Sequence, residues 1–328
     1  MAFKAAGKAH RKGLTLLEVA DMFRDEDAAK KWLAGQRWPD GKPKCPYCRT
    51  ENVQSNIKHK TMMYRCRECP DKRMFSLKAG TVMERSNLKY RVWAVGIYLF
   101  STNIKSISSM KLHRELGITQ KSAWFMLHRL RKVFETSAEP FSGPVGVDDT
   151  YLGGKRKNTP NLKRKQLTGG GSVGKTAVVG AKGGDSNKVA AKVVDSTDQD
   201  TLQKFVTDHT EPDARVYTDA ASLYKGLLRT HEAVKDAVKE YVHGQVQTNG
   251  VESFWSMLRR GHYGTYHKMS LKHLNRYVQE SSGWHNVRDR DTVEQMGGVV
   301  ADADMEGKHL TYRAPTADNG LSSEPRAA

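Results

Sequence analysis

No run of apolar residues in this 328-residue chain approaches membrane-spanning length. Its first residues, MAFKAAGKAHRKGLTLLEVADMF, are basic but contain no apolar stretch of signal-peptide length. An integral membrane protein is therefore not expected, and we expect a cytoplasmic one, which a nucleic-acid partner would place at the nucleoid. Acid is scarce: 36 Asp and Glu face 54 Lys and Arg, for a formal net charge of +18 and a pI of about 9.7. Such a surplus points to a polyanionic partner, nucleic acid first. Cysteine is scarcer still, four residues in all, too few for a disulfide framework in a chain of this length. Apolar residues at 38% and aromatics at 8% are nevertheless enough to build cores, so wholesale disorder is excluded. No internal repeat is present.

The texture changes several times along the chain. Residues 1–36 form a basic lead-in, in which Leu17, Val19, Met22, Phe23 and Trp32 follow a helical period ending at Gly35. Residues 37–83 carry Pro, Gly, Cys and short β-prone pieces, the composition of a small ribbon domain. Residues 84–139 return to helical periods. There Gly117 stops the second helix and Thr119 caps the third across a short turn, which predicts a helix-turn-helix-like unit. From 140 to 291 the runs PVGVDDTYLGG, TAVVGAK, KVAAKVVDS and ARVYTDA read as strands, with helices at DQDTLQKFVTDHT and GVESFWSMLRR. A mixed α/β domain is predicted. Residues 292–328 are rich in Gly, Asp, Ser and Pro and read as a flexible tail.

The four cysteines stand as Cys45-Pro-Tyr-Cys48 and Cys66-Arg-Glu-Cys69. Two residues between each pair let both sulfurs of a knuckle point at one ion, and two knuckles complete a tetrahedron, so a structural Zn²⁺ is expected. The ribbon's many Lys and Arg make DNA contact a reasonable second task for it. On the third helix of the next unit, Lys121 and Arg129, with His128, Arg131 and Lys132, stand where a recognition helix meets a groove.

Gly169-Gly-Gly-Ser-Val-Gly-Lys175-Thr176 matches the phosphate-binding pattern GxxxxGK[ST], so a P-loop NTPase must be weighed. A working P-loop follows a buried strand and opens a helix, whereas here LKRKQL precedes and the strand-like AVVGA follows. The stretch 153–175 reads instead as a basic loop. Lys155, Arg156 and Lys157 with Lys163, Arg164 and Lys165 suit a phosphate backbone.

Three acids draw attention. Asp148 ends a β-prone run in which Val145 and Val147 share the opposite face, and Asp219 ends a second run. Glu252 borders the apolar stripe Val251, Phe254 and Leu258 of a helix, and Arg259, seven residues on, lies on nearly the same line. Two Mg²⁺ or Mn²⁺ ions serving phosphoryl transfer need such a set of anionic oxygens.

The order and separation of Asp148, Asp219, Glu252 and Arg259, with the motifs CPYC…CREC, VDDTYLGGK, AVVGAKG, VYTDAASLY and YVHGQVQTNGVESFWSMLRRGHYGTYHKMSLKHLNRYV, resemble one family. It is the zinc-ribbon DDE transposases of bacterial insertion sequences, with an ISXO-type transposase domain; the likeness covers about residues 15–290. The resemblance implies an RNase H-like catalytic domain at 140–291, with Asp148, Asp219 and Glu252 as metal ligands and Arg259 on a DNA phosphate. Asn249 stands where some relatives place a different third polar residue, and is assigned to DNA contact. The family usually follows the first Asp with Glu; this chain has Asp149, and Asp148 is preferred because its strand face differs from that of the valines. The segment ESSGWHNVRDR departs from the arginine-rich closing helix of the family.

The reading implied is a transposase that binds the terminal inverted repeats of its element on double-stranded DNA, as a homodimer or larger assembly. Water would first be used to cleave the element end, and the freed 3′-hydroxyl would then attack target DNA. The alternatives are a non-catalytic zinc-ribbon regulator or domesticated transposase and, remotely, the NTPase.

Overall fold

A computed structural model of the chain describes residues 12–71, 73–103, 105–135, 139–154, 160–161, 173–218, 223–224, 226–227, 229–233 and 249–301. The described residues divide into two compact units, one containing those of 134–288 and the other those of 12–133 together with 289–301.

The first unit to form along the chain begins with α1 (Leu16–Met22), closed by a capping box in which Thr15 and Glu18 satisfy each other's backbone N–H. The single helical period expected over 14–35 is in fact two helices. Asp25 takes an extended conformation and caps α2 (Glu26–Arg37) by accepting from the Ala28 N–H at 2.7 Å. Three short strands follow, β1 (Val53–Gln54), β2 (Tyr64–Cys66) and β3 (Met74–Phe75), paired antiparallel in that order. Then come α3 (Tyr90–Thr102), α4 (Ser109–Leu116) and α5 (Gln120–Arg131). No side chain caps α3 from its own flank; Glu26 of α2 does so instead, accepting from the Tyr90 and Arg91 N–H groups at 2.7 and 3.0 Å. The turn between α4 and α5 has the anticipated chemistry. Gly117 adopts the left-handed conformation, φ 62°, and Thr119 accepts from the Ser122 N–H.

Two expectations for this unit are corrected. Arg129 and its neighbours His128 and Arg131 are buried, not presented to a groove. Arg129 donates to the backbone carbonyls of Val82 and Glu84 at 2.9 and 2.6 Å and stacks over Phe125, which ties α5 to the ribbon's closing segment. Lys121 remains exposed at the start of α5. The tail expected from 292 opens instead with a helix, Thr292–Ala301, which inserts Met296, Val299 and Val300 into the core and packs on α2 and α3. Its two glycines lower intrinsic helix propensity by about 1 kcal/mol each. Packing overrides that cost, since a Cβ on Gly297 would collide with Gln36 Oε1 of α2. Residues 302–328 lie outside the described residues.

The second unit is built on a five-stranded mixed sheet: β4 (Pro144–Leu152), β5 (Thr176–Gly183), β6 (Val189–Val194), β7 (Arg215–Thr218) and β8 (Thr230–Ala233). The spatial order is β6-β5-β4-β7-β8, antiparallel from β4 through β5 to β6, with β7 and β8 added in parallel on the other side of β4. Helix α6 (Gln199–His209) covers one face, where Val145, Val147, Val179 and Val216 meet Leu202, Phe205 and Val206. Helices α7 (Asn249–Gly261) and α8 (Leu274–Asn286) cover the other, where Leu152, Val178 and Ala191 meet Val251, Phe254, Trp255, Leu258 and Val278. Nearly every residue of β4 and β5 is wholly or partly buried, as expected of strands covered on both faces.

Helix α8, whose end enters the segment that departs from an arginine-rich closing helix, covers the edge of the sheet. An edge strand exposes unpaired backbone groups, and α8 satisfies those of β6 with side-chain amides. Asn275 accepts from the Val193 N–H at 3.2 Å, Gln279 donates to the Ala191 carbonyl at 2.8 Å, and Asn286 both accepts from and donates to Val189 at 2.7 and 2.9 Å. Trp284 meets Phe134 edge-on at 4.8 Å between centroids.

Candidate active site and metal centre

The metal centre forms where two tight turns face each other. The Cys45–Thr50 turn is closed by the Cys45 N–H on the Thr50 carbonyl and the Arg49 N–H on the Cys45 carbonyl, both at 3.0 Å, with Arg49 itself at φ 65°. In the second knuckle the Cys66 sulfur accepts the N–H groups of Glu68 and Cys69 at 3.4 and 3.3 Å. All four sulfurs lie within 4.8 Å of one another, with Cys45 to Cys69 at 3.7 Å and Cys48 to Cys66 at 3.5 Å. A tetrahedral ion with Zn–S bonds of about 2.3 Å sets its sulfurs about 3.8 Å apart, close to the Cys45–Cys69 and Cys48–Cys66 separations, so the cluster suits zinc. Burial works against charge on the Cys66 thiol, but the Cys69 and Glu68 amides and the neighbouring sulfurs outweigh it and lower its pKa to about 7. Cys66 is thus the sulfur disposed to ionise, whereas burial raises Cys45, and the Cys48 sulfur together with burial raises Cys69, so the support for a structural Zn²⁺ is the convergence of the four sulfurs.

The carboxylate site is made by the pleat of β4. Alternate residues point to opposite faces: Val145 and Val147 enter the α6-side core, while Asp148, Thr150 and Leu152 turn toward α7. The strand was expected to end at Asp148. It continues to Leu152, so Asp148 sits at the middle of a nine-residue strand. Asp149 lies on the opposite face, the one it shares with the valines. Opposite Asp148 in the β4–β5 ladder stands Gly180. The missing side chain leaves a slot that the Trp255 ring fills, since a Cβ on Gly180 would lie 2.6 Å from Trp255 Cη2. From there Trp255 Nε1 donates to Asp148 Oδ2 at 2.9 Å, and the Asp149 N–H donates to Asp148 Oδ1 at 2.8 Å. Both carboxylate oxygens are thus oriented by N–H donors.

Glu252, Trp255 and Arg259 stand at i, i+3 and i+7 of α7, one line along the helix. Trp255 and Arg259 bind Asp148 and Thr150 respectively, two residues apart on one face of β4, so helix and strand run in register. Glu252, exposed, belongs to the same line one turn nearer the helix start. Lys182 of β5 holds that start by donating to the Gly250 carbonyl at 3.2 Å. Sequence reasoning missed Trp255, Gly180 and Lys182. The signal for the first two was present, a tryptophan at i+3 from the acid and a glycine inside an apolar strand.

Asp219 lies outside the described residues; β7 ends one residue before it, and its parallel register on β4 pairs Tyr217 with Gly146, two residues short of Asp148. Lys155, Arg156, Lys157, Lys163, Arg164 and Lys165 also lie outside the described residues, as does the side chain of Asn249. Thr176 opens β5, a strand, so the Lys175-Thr176 pair lacks the helix that a P-loop requires. Among the described residues no helix is long and apolar enough to cross a membrane.

Comparison with known proteins agrees with this division of the chain. Residues 140–282 match the family model of the ISXO2-like transposase domain, and residues 24–72 match that of the transposase zinc-ribbon domain. A protein of Halobacterium salinarum named "Uncharacterized protein in transposable element ISH50" is 28% identical over 253 residues, 73% of this chain and 83% of that protein. With a four-cysteine cluster inside residues 24–72 and a mixed sheet carrying Asp148 inside residues 140–282, the chain carries a transposase zinc-ribbon domain followed by an ISXO2-like transposase domain.

Proposed function

We propose that this transposase cleaves DNA at the terminal inverted repeats of its own element and joins the freed ends to target DNA. The observation that carries the proposal is the docking of α7 on β4: one helical line brings Trp255 to Asp148 and Arg259 to Thr150, with Glu252 on the same line. The strand order, three antiparallel strands with two parallel ones added beside the strand of Asp148, supports an RNase H-like reading of the domain.

Asp148, Asp219 and Glu252 would hold two Mg²⁺ or Mn²⁺ ions. Their donor set suits such ions, being hard anionic oxygens, and Asp148 has the N–H support that orients a ligating carboxylate. Ions held by these carboxylates would supply neutralisation of the charge that develops on a phosphodiester under in-line attack. Arg259 is steadied by its bond to Thr150, and a guanidinium has five donors, so it serves a DNA phosphate as well. In the first step water attacks the phosphorus at the element end and the P–O3′ bond breaks, leaving a 3′-hydroxyl on one side and a 5′-phosphate on the other. In the second that hydroxyl attacks a target phosphodiester, forms a new P–O3′ bond and releases the target's own 3′-hydroxyl, so no covalent enzyme intermediate is needed. The ribbon, Lys121, Asn249 and the basic stretch 155–165 supply DNA contacts. A net charge of +18 makes binding strongly salt-dependent. Work on two ends at once calls for a homodimer or larger assembly, acting in the cytoplasm on the nucleoid.

The test is a strand-transfer assay with full-length protein, labelled DNA from the flanks of its gene and Mg²⁺ or Mn²⁺. Wild type is compared with Asp148→Asn, Asp219→Asn and Glu252→Gln. Joined products from wild type alone are expected; bound DNA without products from any protein would favour a non-catalytic regulator.

A further inference from the structure

Antiparallel partners share a face, so the β4–β5 ladder groups four residues under α7: Gly146 opposite Lys182, and Asp148 opposite Gly180. The two glycines leave a trough in which the helix can approach the sheet closely. Two side chains rise from that trough to hold the helix. Asp148 takes the Trp255 N–H, and Lys182 donates to the Gly250 carbonyl at 3.2 Å. The second contact is close-packed, for a Cβ on Gly250 would lie 3.3 Å from Lys182 Cδ. Gly250 and Trp255 stand two residues before and three residues after Glu252, so the acid lies between the two points at which the helix is fastened.

Stability alone does not call for a lysine here. Position 182 is half-buried, and that burial, together with the nearby Arg288 guanidinium, pulls the Lys182 pKa below its usual value. An unbranched apolar side chain of similar length would fill the space without the cost of desolvating an ammonium. What only a long cationic donor provides is a directed bond to the first turn of α7, whose Gly250 carbonyl also accepts from Ser253 Oγ at 3.0 Å.

We propose that Lys182 is a positioning residue for Glu252: it pins the first turn of α7 to β5 and so sets the Glu252 carboxylate for divalent-ion binding beside Asp148. The inference rests on the carboxylate site proposed above. It adds to that site a residue that touches neither ion nor DNA.

The test uses full-length, zinc-loaded protein without DNA and measures Mn²⁺ binding by calorimetry for wild type, Glu252→Gln, Lys182→Met and Lys182→Arg. Tm, zinc content and DNA affinity are followed in parallel. Lys182→Met is expected to bind Mn²⁺ about 10-fold more weakly, the usual effect of losing a group that orients a ligand, with zinc content and DNA affinity unchanged. Lys182→Arg, which keeps the donor and the charge, is expected to restore binding close to wild type. Wild-type Mn²⁺ affinity in Lys182→Met overturns the inference, and so does a loss in Lys182→Arg equal to that in Lys182→Met, which would mark simple packing. If Glu252→Gln binds Mn²⁺ as wild type does, the carboxylate reading fails and takes this inference with it. Weakening by Glu252→Gln without weakening by Lys182→Met removes the inference alone.

Discussion

Replacing Gly180 with alanine tests the packing that aims Asp148. The new Cβ would meet Trp255 Cη2 at 2.6 Å and Cζ2 at 2.7 Å, whereas carbon atoms rest about 3.5–4.0 Å apart. The indole, 2% exposed, must retreat by about 1 Å through a packed core. Its bond to Asp148, now 2.9 Å, would then stretch to about 3.9 Å, beyond hydrogen-bonding range. Overpacking costs about 1–3 kcal/mol, and a lost bond to a charged acceptor about 1.5–3 kcal/mol. Alanine's better strand propensity returns only about 0.5–1 kcal/mol. The clash wins, for a net loss of about 1.5–5.5 kcal/mol, read as a Tm lowered by about 3–22 °C in a unit of this size. Strand-transfer activity should fall by about 100-fold, the usual consequence of a reacting group misplaced by about 1 Å. A double-mutant cycle isolates the cause: with Trp255→Leu already present, Gly180→Ala should be neutral or stabilising. A Gly180→Ala protein as stable as wild type, or equally destabilised in both backgrounds, would refute the argument.

Other perturbations give separable outcomes. Trp255→Phe keeps most of the ring and removes the N–H, so it should cost about 1.5–3 kcal/mol by thermal melts and leave zinc content unchanged. Each chain should carry one zinc ion, released into a chromogenic chelator when the thiols are blocked. Cys66→Ser should lose the ion and with it the β1–β3 ribbon signals in NMR spectra. His285 is held neutral by burial first and then by Arg288 and Lys182, which press its pKa from 6.5 down to about 3. Its unfolded form takes up a proton that the folded form refuses, so stability is full above pH 6.5 and declines below it. The loss is on the order of 1–2 kcal/mol by pH 5, and denaturant melts of His285→Gln should show a flatter profile.

Much of this molecule was legible because its signals are local. The two CxxC knuckles, the Gly117 stop with the Thr119 cap, and the alternation of Val145, Val147 and Asp148 each depend on residues a few positions apart, where backbone geometry alone decides the outcome. Other features were hidden because they depend on distant partners. The polar strand Thr230–Ala233 carries no apolar alternation and exists through its parallel pairing with β7. The helix Thr292–Ala301 is weakened locally by two glycines and stabilised by α2 and α3. Arg129 reads as a groove-facing cation until the carbonyls of Val82 and Glu84 are found to receive it.

The same division runs through the site. Residue type and spacing were enough to determine a zinc ribbon, a mixed α/β domain, and a helix bearing Glu252 and Arg259 on one line, since each follows from short-range periodicity. Only the tertiary structure decided that β4 runs on past Asp148, that Gly180 makes room for the indole that orients this carboxylate, and that Lys182 fastens the start of α7. These contacts join residues separated by 68 or more positions, and a sequence does not encode which distant strand will face a helix until the sheet order is made. The physical reason is that a single missing Cβ has no signature of its own: its meaning is the group that moves into the space.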